Sequence, residues 1–375
     1  MASYPLAGLK VVSLEQAVAA PLCTRRLVLA GAEVFKIERP GGDFARHYDQ
    51  AVAGESAYFV WLNAGKKSVL LDLQDPAERQ LLRRLIARAD VLIQNLKPGA
   101  MAKLDLDPAP LRAADPRLIT VSIAGFHPQG PGASRKAYDL LMQAESGLAH
   151  ITGSPAQAGR VGVSLVDLAT GMFAYEAVLE ALLARAQSGV GEHIDIALFD
   201  AVAEWMTVPY LLEQHTGLAP ARIGLAHPGI CPYGVFTSRD EVDFVLSIQN
   251  AGEWQRLCQV AFDAADLYGD ARCVDNPTRV AHREWVDGCV AQLCGAVPYT
   301  ELAERFHRAD LAFAPLNPVA ALAQHPDLRT QTVCAAGQSI ALPVVPGRSR
   351  PSDLEVPALG AHTQTVREWL ESAPL

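Results

Sequence analysis

The chain has 375 residues and no CxxC pair, no GxGxxG turn, no phosphate-loop lysine motif, no GxSxG elbow and no HExxH helix. The usual dinucleotide, nucleotide-triphosphate, serine-hydrolase and zinc-protease chemistries therefore lack their signatures. Its seven cysteines (Cys23, Cys231, Cys258, Cys273, Cys289, Cys294, Cys334) are an odd number without metal-ligand spacing, which predicts free thiols, no disulfide framework and no metal. No run approaches the roughly 18–20 uncharged apolar residues of a membrane span, and Met1 to Lys10 lacks a basic segment leading into an apolar one, so a cytoplasmic protein with no membrane partner is expected. Half the residues are hydrophobic and 19% are charged, a composition that excludes disordered and fibrous chains.

Charge is uneven. Through Lys136 there are 18 Lys+Arg against 13 Asp+Glu, whereas the rest holds 14 against 28. A basic first third suits a small polyanionic ligand there, and the acidic remainder argues against a nucleic-acid surface. In the first 125 residues apolar runs alternate with helix-period segments: strands over 9–14, 33–38, 68–73, 91–95 and 118–123, and helices over 21–30 and from the cap Asp75-Pro76 to 89. Uniformly apolar strands joined by helices imply a mostly parallel α/β sheet covered on both faces. A short apolar segment at 161–166 precedes a long helix from 168 to about 186; a strand over 192–196 and a helix over 198–212 follow. A Gly/Pro-rich stretch at 216–232 then leads into a smaller unit.

Lys36, Arg39, Lys97, Lys103, Arg135 and Lys136 fall at predicted strand ends or in the loops after them, where parallel sheets bind ligands. They are candidates for neutralising phosphates, with ordinary surface cations as the alternative. Asp167 precedes the long helix, so its carboxylate is expected to face the positive end of the helix dipole and free N–H groups, which would keep it ionised and nucleophilic. The alternative is a plain N-cap aspartate. Tyr138 could donate to a developing oxyanion and Asp139 could orient neighbours. In the loop "RIGLAHPGICPYG", Arg222 could hold a substrate carboxylate, with His227 beside it.

The stretches "LAGLKVVSLEQAVAAPLCTRRLVLAGAEVFKIERPGGD", "NAGKKSVLLDLQDPAERQLLRRLIARADVLIQNLKPG", "KAYDLLMQAESGL", "VSLVDLATGM", "RIGLAHPGICPYGVF", "HPDLRTQ" and "PALGAHTQTV" together resemble the class III CoA-transferases, which include formyl-CoA:oxalate, carnitine and succinyl-CoA-dependent members and the α-methylacyl-CoA racemases. The resemblance implies an interlocked homodimer. Each chain would have a Rossmann-like large domain over 1–212, a linker and small α+β domain over 213–320, and a segment over 321–375 returning to the large domain. It also implies Asp167 as nucleophile, coenzyme A or acyl-CoA as substrate with no prosthetic group, and CoA contacts at Lys36, Arg39, Asn95, Leu96, Lys103 and Lys136 by motif match.

Departures refine this. Racemases that resemble the chain carry histidine where Tyr138 stands. A phenol of ordinary pKa about 10 is a poor base at neutral pH, so transfer ranks above epimerisation by Asp167 and Asp139. The glycine-run loop of the formyl-CoA:oxalate members has no counterpart, and their glutamine in the first βα loop falls on Val18. Arg222, His227 and "EWMTVPYL" are similar to members acting on short dicarboxylates such as succinate, mesaconate, citramalate or itaconate. The alternatives to a transferase are a racemase and a non-catalytic CoA-binding subunit.

Overall fold

The computed structural model describes residues 4–347 and 354–372. Strand β1 (Lys10–Leu14) places Val11 and Val12 on opposite faces of a sheet with both side chains buried, as a strand covered by helices on both sides requires. Helix α1 (Ala19–Leu29) carries Pro21 in its first turn, and β2 (Glu33–Glu38) matches its expected bounds. A short helix α2 (Ala57–Asn63) leads to β3 (Lys67–Leu70) and then to α3 (Pro76–Ile86), capped by Asp75, which accepts Ala77 N–H at 2.8 Å. Next come β4 (Val91–Gln94), β5 (Ile119–Ala124), α4 (Asp139–Glu145), α5 (Leu165–Ser188) and β6 (His193–Ala197).

The order β3-β2-β1-β4-β5-β6 is parallel throughout and reverses between β1 and β4. This is the doubly wound arrangement, whose crevice opens beyond the carboxyl ends of the strands at that reversal. α1 and α5 cover one face, with Val178 of α5 in one core with Val11, Val34 and Ile93 of the sheet. The other is covered by α3 and by α8 (Thr363–Ser372), over Val12, Leu82, Leu92 and Leu370, where Trp369 stacks on Phe35 with ring centroids 5.8 Å apart. α1 and α5 approach so closely that a methyl group on Gly171 would lie 2.6 Å from the Ala19 carbonyl oxygen, so no side chain fits there.

The chain divides into two units, one comprising 1–148, 161–208 and 329–375, the other 149–160 and 209–328. The junctions expected at 212/213 and 320/321 thus fall at 208/209 and 328/329, and 149–160 goes with the smaller unit. The expected helix over 198–212 is two, α6 (Leu198–Trp205) and α7 (Thr207–Thr216), where Thr207 turns its hydroxyl back onto Glu204 O at 2.6 Å. The smaller unit holds an antiparallel sheet of β7 (Tyr233–Thr237), β8 (Asp243–Ser247) and β9 (Ala312–Pro315), packed with helices around Phe244, Trp254 and Phe306. Among the described residues no helix is long and apolar enough to cross a membrane.

Candidate active site

α5 begins at Leu165, three residues before the expected start and within the apolar segment 161–166. Asp167 consequently lies in the third position of the helix rather than at its cap, and this changes its electrostatics. The first three N–H groups of the helix, which have no partner within its ladder, are all engaged: Leu165 N–H donates to Val163 O (2.8 Å), and Val166 and Asp167 N–H both donate to Asp139 Oδ1, at 2.8 and 3.3 Å, before Leu168 N–H opens the ladder on Ser164 O (3.0 Å). The helix N–H donors expected to face the Asp167 carboxylate are therefore taken, and they are not open to an oxyanion either.

Among the described residues no hydrogen bond reaches the Asp167 carboxyl group. Burial, with the Asp139 charge adding to it, raises its pKa to about 7. The expected helix-stabilised, fully ionised carboxylate is corrected to a half-buried one that exchanges its proton near neutrality. Asp139 is only 8% exposed and is fixed on α4 by Gln143, whose Nε2 donates to Oδ2 at 2.8 Å.

Phenols surround this helix start. Tyr138, 64% exposed, precedes α4. The hydroxyls of Tyr58, on α2, and Ser164 share a hydrogen bond of 3.2 Å, and Tyr48 meets Tyr58 edge-on at 5.6 Å. Burial, together with Asp43, Asp167, Tyr58 and Tyr138, pushes Tyr48 up to about 12, so it stays a hydrogen-bond donor across the physiological range. Sequence reasoning passed over Tyr48, Tyr58 and Ser164; the only local signal was aromatic density at 44–61 in a chain with 7% aromatics.

Lys36 does not offer its ammonium to solvent. It is 0% exposed, pairs with Asp43 at 2.8 Å and Glu15 at 3.5 Å, and is held protonated against its burial by Glu15, Asp43 and Glu38. Lys66 completes the group, 2.6 Å from Glu15 and also bound to Asn63 Oδ1 and Pro21 O. Two carboxylates and two ammonium groups thus neutralise one another beneath the β1–α1 loop, and the phosphate role expected of Lys36 has no free donor in this arrangement.

Asn95 is likewise engaged. Its Oδ1 accepts Gln16 N–H (2.9 Å) and its Nδ2 donates to Gln16 O (2.8 Å), so it ties β4 to the loop after β1 across the sheet's reversal. Asp43 accepts the neighbouring Ala17 N–H at 3.1 Å, and Ala17 sits at φ 62°. Two side chains thus hold, without glycines, the turn where a dinucleotide fold has its glycine motif. Leu96 packs on the α3 face of the sheet. Arg39, Lys97, Lys103 and Lys136 are exposed after strand ends in this unit, and Arg135 is clamped by Glu145 at 2.6 and 2.7 Å.

In the smaller unit, Arg222 binds His150 O (2.7 Å) and Ser154 O (3.2 Å), tying the loop to residues 149–160. His227 stacks on Tyr233 with centroids 5.3 Å apart, and its Nδ1 accepts Gly229 N–H at 3.1 Å. Both have structural partners. No cluster of His, Cys, Asp or Glu among the described residues could hold a metal.

A doubly wound sheet with one unpartnered carboxyl group among phenols defines an α/β protein with a candidate acyl-carrying acid. A model of CoA-transferase family III matches residues 6–363, and the chain belongs to that family. Its relatives include an acyl-CoA transferase of Fusarium pseudograminearum (33% identical, covering 97% of this chain and 84% of the relative) and an acetyl-CoA:oxalate CoA-transferase of Acetobacter aceti (35%; 90% and 87%). A succinate–glutarate CoA-transferase of Agrobacterium fabrum is 38% identical over 74% of this chain and 72% of its own. The crystal structure of a CaiB/BaiF family protein from Brucella suis superposes with a TM-score of 0.85 at 32% identity, over 98% of this chain and 99% of the other.

Proposed function

We propose that this protein transfers CoA from an acyl-CoA thioester to a short dicarboxylate through Asp167. The observation that supports this most is the Asp167 carboxyl group itself: free of hydrogen bonds among the described residues, titrating near neutrality and fixed in the first turn of a helix where Asp139 takes the N–H groups of Val166 and Asp167. Relatives named for oxalate, glutarate and mesaconate favour a dicarboxylate acceptor, with succinate, mesaconate, citramalate or itaconate as the first candidates.

The Asp167 carboxylate attacks the thioester carbonyl; the C–S bond breaks, giving an aspartyl mixed anhydride and CoA thiolate. The thiolate attacks the aspartyl carbonyl, releasing the donor acid and leaving an aspartyl-CoA thioester. The acceptor carboxylate then displaces CoA as thiolate, forming a second anhydride. Attack of the thiolate on its acceptor-derived carbonyl yields the new acyl-CoA and frees Asp167. With the helix N–H groups engaged, oxyanion donors fall to Tyr48, Tyr58 and Tyr138 hydroxyls. CoA would meet the exposed cations Arg39, Lys97, Lys103 and Lys136, while Asn95 and Lys36 shape the loop beneath it.

An epimerase would need Asp139 as a proton shuttle, but its oxygens accept three N–H donors, which disfavours that reading. Incubating the pure protein with succinyl-CoA, acetyl-CoA and mesaconyl-CoA against a panel of dicarboxylates, oxalate included, should yield new thioesters by mass. Hydroxylamine should mark Asp167 only when acyl-CoA is present. A mark on a cysteine, or α-proton exchange without transfer, counts against the proposal.

We also propose a homodimer. α7 buries none of its ten residues, leaving Val208, Tyr210, Leu211 and Leu212 exposed, with Trp205 just before them. Sedimentation should give twice the chain mass of 40.2 kDa; a monomer at micromolar concentration would refute it.

A further inference from the structure

The sequence Ser164-Leu165-Val166-Asp167 spells a capping box, with a serine cap and an acid three positions on. In such a box the serine hydroxyl accepts the N–H of the acid, and the carboxylate folds back onto the N–H of the serine. The structure forms neither half. Ser164 adopts φ −74° and ψ 66°, the centre of an inverse γ-turn closed by Leu165 N–H on Val163 O, instead of the extended conformation that aims a cap side chain at the helix. Its hydroxyl is bound to Tyr58. The two N–H groups left over, those of Val166 and Asp167, both go to Asp139 from another helix.

We propose that Asp139 is a surrogate cap for α5, a positioning residue that keeps the Asp167 carboxylate out of helix capping and so open to substrate. Without an acceptor at 139, the nearest competitor for those N–H groups on the same helix is the Asp167 carboxylate itself, an acid in the first turn. A nucleophile recruited as a cap is turned toward its own backbone and made less basic. Asp139 is held to the task by a relay: Gln143 Nε2 donates to its Oδ2 at 2.8 Å, and Gln143 Oε1 accepts Val161 N–H at 2.9 Å, just before the γ-turn. The relay also fixes which substitutions are tolerated. An amide at 139 would set its NH₂ against that of Gln143, and flipping Gln143 would forfeit Val161. Asp139→Asn with Gln143→Glu restores an acceptor at every position.

The inference rests on Asp167 being the nucleophile, and its test separates the two. For full-length Asp139→Ala, kcat should fall by about 10²–10³-fold with KM for acyl-CoA within about threefold, the signature of a misplaced reacting group rather than lost binding. The acidic limb of kcat/KM should move to lower pH. A crystal structure should place the Asp167 carboxylate on the N–H of Val166 or on its own. Asp139→Asn should be impaired, and Asp139→Asn/Gln143→Glu should recover to within about tenfold of the parent. A polar replacement at 139 keeps the test available if the alanine variant does not fold. The proposal is overturned if Asp139→Ala keeps the parent kcat and limb, or if the double variant is as poor as Asp139→Asn while the Asp167 carboxylate stays unpartnered. Undiminished transfer by Asp167→Asn would instead remove the nucleophile, a separate result.

Discussion

Asp167→Asn is expected to lose CoA transfer by on the order of 10³-fold or more and, at the same time, to melt at a higher temperature than the parent at pH 8. Both follow from one fact. The carboxyl group titrates near 7 in the folded chain, against an ordinary aspartate value of 3.8. Its ionisation therefore opposes folding: the cost is absent below about pH 4, where both states are protonated, grows as pH rises toward 7, and is complete above it. At 1.36 kcal/mol per pKa unit the ceiling is about 4 kcal/mol, and an amide lacking designed partners should retain on the order of 1–3 kcal/mol of that gain. This corresponds to several degrees in Tm, at roughly 2–4 °C per kcal/mol for a unit of this size. Scans at pH 8 and pH 4 distinguish this from general stiffening, because the gain should vanish at the lower pH. The parent enzyme's kcat/KM should rise with pH through about 7 as the nucleophile ionises. A gain in Tm equal at both pH values would contradict the assigned burial; full activity would contradict the chemistry.

The second large effect concerns the buried ion group. Glu15→Gln leaves Lys36 with Asp43 and, among the described residues, leaves the Lys66 ammonium with no carboxylate in contact, at a site closed to solvent. Removing one partner of a buried pair typically costs about 3–5 kcal/mol, because the remaining charge is stranded in a medium of low polarity. Burial already lowers Lys66 to about 8 despite Glu15, so without its carboxylate the lysine should approach neutrality. The denaturant midpoint should drop with little change in slope. Glu15→Gln/Lys66→Met should lose less than the sum of the single changes, the coupling expected of residues in direct contact. Additive losses in that cycle would show that the pair contributes nothing jointly.

How much of this was legible in the chain depends on range. Strands rich in apolar residues on both faces announced a doubly covered parallel sheet, and Asp75-Pro76 announced the start of α3, which ends at Ile86 rather than at 89. The helix α5 starts at Leu165, inside the apolar segment 161–166 that the sequence sets apart from it, and that three-residue difference moves Asp167 from the position before the helix into its first turn. Lys36 lies within "FKIERPGGD", a motif that invites a phosphate reading. Its true partners, Glu15 and Asp43, are 21 and 7 residues away, and Lys66 lies farther still, a constellation that no local pattern encodes. The same limit hid the tie from Asn95 to Gln16, 79 residues apart. Asp167 was singled out by its place before the long helix and by the resemblance, whereas its raised pKa and the bonds that suggest a capping role for Asp139 required the fold.

The sheet's α3 face is completed by α8, drawn from the final stretch of the described chain, with Trp369 lying flat on Phe35 of β2. During synthesis the ribosome releases β1 to β6 long before it releases that helix. Until then the part of this face around Phe35 lacks its cover, and a nascent chain stalled late would expose that apolar patch to any neighbour. Closure of this face thus waits until α8 has left the ribosome, and chaperone dependence should respond most sharply to mutations in α8.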